Sequence, residues 1–160
     1  MTPKLRRFLR AGAIALAGAA LAAATVWVNL MAGLGPKVLG IGHGMTPSIE
    51  VTPLSLAIEV GLRGLLLVPP LAVLAMISGP WPLRALSVLL FAYGWYFIAD
   101  DIAFSYAIDF GATWGPGEPF AELFYRPLLT PALWIGASVA YLWLLSRLNR
   151  APGTGRRAAG

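Results

Sequence analysis

Two adjacent carboxylates, Asp100 and Asp101, stand inside an otherwise apolar stretch from Leu83 to Phe110. Glu59 and Arg63 stand four apart inside a second such stretch, and Glu122 and Arg126 repeat that spacing in a third. A carboxylate can bind a cation or exchange a proton, and a guanidinium can hold a carboxylate or an anionic headgroup. Tyr93 and Tyr96 add phenol donors close to Asp100 along the same helix. In hydrocarbon, ionised groups are costly unless they face protein or water, so these eight residues form the candidate ligand- or ion-binding set.

Other chemistries find little support. There is no cysteine, which excludes thiol chemistry, disulfides and thiolate metal sites. His43 is the only histidine, so a bis-histidine haem site is ruled out. Its spacing to Glu50, Asp109 and Glu118 matches no metal motif, and it is read as a solvated loop residue. Gly40-Ile41-Gly42-His43-Gly44 lacks the Gly-Lys-Ser/Thr ending of a phosphate loop and follows an apolar helix instead of a strand. No nucleophile–base pair sits in a recognisable elbow, so no residue is assigned as catalytic. The sequence names no cofactor.

The elements that must position the charges follow from composition. Of 160 residues, 58% are hydrophobic and 12% charged, with a mean hydropathy of +0.73. A soluble domain of this size needs more polar surface, so the expectation is an all-α integral membrane protein. Residues 1–150 are read as one bundle of four transmembrane helices, near 8–34, 53–78, 82–110 and 119–147, the last starting near Pro119 or Pro127, and 151–160 as a disordered cytoplasmic tail. The third stretch is expected to organise the rest. Its run from Ala85 to Ala99 reaches only about 22 Å, against a hydrocarbon core of about 30 Å. The spanning helix must therefore carry both aspartates.

The first helix follows Lys4, Arg6, Arg7 and Arg10, and its run of small residues (Gly12, Ala15, Gly18, Ala19 and Ala22) suits close helix approach. Because the apolar run continues through Met31, an uncleaved helix is preferred to a signal peptide cut after Ala22-Ala23-Ala24. Thr52-Pro53 reads as an N-cap and first-turn proline, Pro69-Pro70 as a kink, and Gly79-Pro80-Trp81-Pro82 as a tight turn making helices two and three antiparallel neighbours.

Of twelve basic residues, nine lie at Lys4–Arg10, Arg84 and Arg147–Arg157, away from all seven acids. This is the pattern of a topology signal and not of a nucleic-acid patch, so both termini and the Arg84 turn are expected in the cytoplasm. A bacterial inner (cytoplasmic) membrane suits the Ala, Gly, Pro and Arg usage. With that polarity the intramembrane charges fall in the outer leaflet half.

Helical geometry separates the two aspartates by about 100°. Asp101 shares a stripe with the small residues Ser87, Gly94 and Ser105 and is the expected partner of Arg63. Asp100 shares one with Tyr93, Tyr96 and Phe104 and is the candidate for ligand, proton or ion handling. Glu59-x3-Arg63-x-Leu65-Leu66 is echoed by Glu122-x3-Arg126-x-Leu128-Leu129, a match that leucine-rich helices produce easily by coincidence. The functional expectation is a small transport or ion-handling protein, or an integral subunit of a membrane complex. The alternative is a membrane-embedded enzyme acting on a lipid or isoprenoid, and a third reading has the charges pairing only internally. Membrane lipids and further copies or partner membrane subunits are the implied partners, and nucleic acid is not.

Overall fold

The structure, a computed structural model, describes residues 2–38, 52–77, 79–109 and 115–148. Every regular element among them is helical. In order these are α1 (Pro3–Val38), α2 (Pro53–Leu65), α3 (Val68–Ile77), α4 (Trp81–Asp109), a π turn (Phe120–Phe124) and α5 (Leu129–Leu148). Three segments, Lys4–Ala32, Trp81–Tyr106 and Leu129–Arg147, are long and apolar enough to cross a membrane. The pair α2 and α3, bent by 42°, meets the same measure when taken together, so up to four segments could cross a membrane by length and composition. His43, Glu50, the Asp109 side chain and the 151–160 tail lie outside the described residues.

The organising helix is α1, and not α4 as the sequence suggested. It packs against α2, α3, α4, α5 and the π turn. Its buried stripe of Ala11, Ala15, Ala19 and Ala22, with Gly18 alongside, is small enough for neighbours to come near its backbone. A Cβ added at Gly64 of α2 would lie 3.2 Å from the Ala23 Cβ and 3.3 Å from the Ala19 carbonyl oxygen. One added at Gly18 would lie 2.7 Å from the Tyr141 ring. Larger residues fill the space between the other helices. Trp95, Tyr141, Phe91 and Phe124 are fully buried. Phe91 stacks on Tyr141 at 4.6 Å between centroids, and Trp95 meets Phe124 edge-on at 5.5 Å.

Helix α2 starts as expected. Thr52 Oγ1 accepts from the Ser55 amide, and Ser55 Oγ accepts from the Thr52 amide, each at 3.0 Å, ahead of Pro53. The kink is displaced from its expected position. The helix breaks at Leu66–Leu67, and Pro69-Pro70 fall in the first turn of α3. A proline ring clashes with the carbonyl four residues earlier, and a first turn is where its missing N–H costs least. The break lets Leu67 turn inward against Gly94 of α4, where an added Cβ would collide with the leucine side chain. Gly94→Ala is accordingly expected to cost about 1–3 kcal/mol by overpacking. Thermal unfolding in detergent should show that loss, and Leu67→Ala should relieve part of it; equal stability of Gly94→Ala and wild type would refute the contact.

The expected fourth helix, 119–147, is also divided. Gly117, with φ of +82°, turns the chain into a short π turn closed by the Tyr125 amide on the Phe120 carbonyl at 2.8 Å. Tyr125 is then extended, and α5 begins only at Leu129. Pro127 biases Arg126 away from helical backbone, so the division falls there. Pro131 lies in the first turn of α5, where it is tolerated.

Candidate functional site

Arg63, in regular helix a turn below Glu59, reaches across to α4. Its Nε donates to Asp101 Oδ2 at 2.6 Å, and its Nη1 donates to Glu59 Oε2 at 3.3 Å. Its Nη2 donates to Ser105 Oγ at 3.0 Å, while that hydroxyl donates to the Asp101 carbonyl at 2.9 Å. All three guanidinium nitrogens are thus engaged, and one cation serves two carboxylates. The expected Arg63–Asp101 pair forms because the tight turn brings the second and third stretches back antiparallel.

The network is not enclosed. The side chains of Glu59 and Asp101 are 42% and 45% exposed, and that of Arg63 is 23% exposed. Glu59 and Asp101 lie well inside α2 and α4, with Arg63 in the last turn of α2 before the bend into α3, so the open side faces sideways from the bundle. Asp100 is half-buried next to this face and has no hydrogen-bond or ion-pair partner among the described residues.

The expected stripes separate as helical spacing requires. Ser87 is buried and shares a 3.0 Å hydrogen bond with the Tyr141 hydroxyl, Gly94 meets Leu67, and Ser105 joins the arginine. Tyr93 and Phe104 face outward, and Tyr96 lies over Phe120 at 5.1 Å. The phenols make no hydrogen bond to Asp100 among the described residues, so they do not build an aromatic pocket around it. Glu122 is exposed on the π turn. Arg126 follows it beyond the break and donates through Nη1 to the neighbouring Tyr125 carbonyl at 3.3 Å. Neither residue joins Arg63 among the described contacts. Because Glu59 and Arg63 share one regular helix while Glu122 and Arg126 straddle a break, the sequence echo is not a structural repeat.

A second polar network was not expected. Asn29, fully buried on α1, donates through Nδ2 to the Phe124 carbonyl at 2.8 Å. Its Oδ1 accepts from Thr130 Oγ1 at 2.9 Å, and that oxygen accepts from the Arg126 amide at 2.8 Å. The backbone groups released by the break before α5 are therefore met by two side chains. One turn earlier on α1, Thr25 accepts from Trp95 Nε1 at 2.8 Å and donates to the Leu21 carbonyl at 2.7 Å. The signal was in the sequence: an asparagine midway through an apolar run needs a partner. No known family matches the chain, and no curated protein or solved structure is detectably similar to it.

Proposed function

We propose that the chain is a small multi-pass membrane protein acting as an integral subunit of a membrane assembly, docked through the face that carries Glu59, Arg63, Asp100 and Asp101. One observation carries the reading: a charge network belonging to apolar helices is open sideways by nearly half at both carboxylates. Lipid tails offer neither water nor counter-charge, so such a face is stable when another polypeptide covers it. The bundle interior favours docking over a conduction path, because large side chains such as Trp95, Phe91 and Tyr141 fill it.

The same reading includes four spans, with α2 and α3 forming one bent crossing, and both termini in the cytoplasm. Asp101 then lies about 25 Å along α4 from Arg84, in the outer half of the bilayer. Two measurements test it. Reporter fusions after Arg150 and at Trp81 should report cytoplasm, and fusions near His43 and Trp114 the opposite side. Extraction from native membranes in mild detergent should yield a particle heavier than one chain with its micelle. A monodisperse single chain, confirmed by in-membrane crosslinking at Leu62 that captures nothing, would refute the subunit reading.

A further inference from the structure

Resting on that reading, the face has a charge that selects its partner. Glu59, Asp100 and Asp101 contribute three carboxylates and Arg63 one guanidinium, so the ionised face carries a net charge of −2. Arg63 directs its described bonds to Asp101, Glu59 and Ser105 and makes none to Asp100. We infer that the partner is a transmembrane helix bearing a lysine or arginine in its outer half, placed to meet Asp100 beside the Glu59–Arg63–Asp101 network.

A second copy docking symmetrically fits poorly. In a two-fold interface the same patch meets itself, and two faces of −2 would be apposed in a medium that screens little. A basic residue from a different helix reverses the sign of that interaction. It also leaves the internal pairs of Arg63 undisturbed. The surroundings suit helix docking: Ile58, Leu62, Phe97 and Phe104 are exposed on α2 and α4 and can contact a partner's apolar side chains. In this arrangement the charges select the partner and set its depth, while the apolar contacts supply area.

The test uses the full chain in phosphatidylcholine vesicles with synthetic leucine–alanine transmembrane peptides. Each peptide carries one arginine, leucine or glutamate in its outer half, and association is followed by energy transfer. The arginine peptide should associate at least about ten-fold more tightly than the leucine peptide, equivalent to about 1.4 kcal/mol, and the glutamate peptide more weakly than either. Asp100→Asn should remove most of the arginine preference, and Asp100→Lys should transfer it to the glutamate peptide. If either Asp100 variant fails to fold, Glu59→Gln provides the comparison, because its 3.3 Å contact is the longer of the two ion pairs. Equal association of arginine and leucine peptides, or a preference unchanged in these variants, overturns the basic partner. So does a copy-to-copy crosslink through Leu62, or a phosphatidylethanolamine retained by the wild type and lost with Asp100→Asn. A heavy native particle combined with no arginine preference rejects this inference alone, whereas a solitary native chain rejects the subunit reading beneath it.

Discussion

Asn29→Leu is expected to be among the most damaging single substitutions in the chain. The side chain is fully buried and holds two contacts, donating to the Phe124 carbonyl and accepting from Thr130. Leucine has similar volume but leaves that carbonyl only the long 3.4 Å contact from Thr130 Oγ1 and takes from the threonine hydroxyl its better acceptor. Each buried group so deprived costs about 1–3 kcal/mol, so a loss of about 2–6 kcal/mol is expected, a large part of a small bundle's stability. Thr130→Val should be comparably damaging, because it strands both the Arg126 amide and Asn29 Oδ1. The double variant should fall short of the sum, since both changes remove the same hydrogen bond. Thermal and denaturant unfolding in detergent measures this cycle. Strict additivity, or a wild-type melting temperature for Asn29→Leu, would show that the network does not hold the break before α5.

Arg63→Leu is the second large effect, and it has a different origin. Two carboxylates lose their only described cation. A fully buried pair costs about 3–5 kcal/mol when one partner is removed, while an exposed pair is worth about 0–1 kcal/mol. With the acids nearly half exposed, the loss should fall between those limits in detergent and approach the upper one in a bilayer. Adding Asp101→Leu should restore part of the stability, because one stranded charge is removed with it. Arg63→Lys should rescue less, since an ammonium cannot serve Asp101, Glu59 and Ser105 through a planar fork. Were the double variant worse than Arg63→Leu alone, the pair would not be the interaction that fastens α2 to α4.

Much of this molecule was legible from residue types alone. The length and apolarity of the stretches near 8–34 and 82–110 identified α1 and α4, because a membrane-length helix is a local property set by a continuous run of side chains. Thr52-Pro53 marked the start of α2 for the same reason, as a cap satisfies its own backbone, while the reciprocal Ser55 contact appeared only in the structure. The Arg63–Asp101 pair followed from depth and the tight turn, both of which are countable along the chain.

Which neighbour each helix face meets was decided only in three dimensions. Alanine richness in α1 allowed close approach without naming its partner, and only packing placed that helix between all the others. Prolines announced both interruptions, near Pro69-Pro70 and near Pro127, but a proline signals only that a hydrogen bond must be lost, and the residue at which the backbone breaks was seen in the structure alone. Leu67 against Gly94 occupies the first break, and Asn29 with Thr130 satisfies the backbone groups freed at the second. Exposure of the charge network was equally beyond reach. A sequence can require that Glu59, Arg63 and Asp101 find one another, since lone charges in low dielectric are expensive. Whether the resulting network points inward or sideways depends on how α1, α2 and α4 are rotated about their axes. Packing of small residues against large ones fixes that rotation.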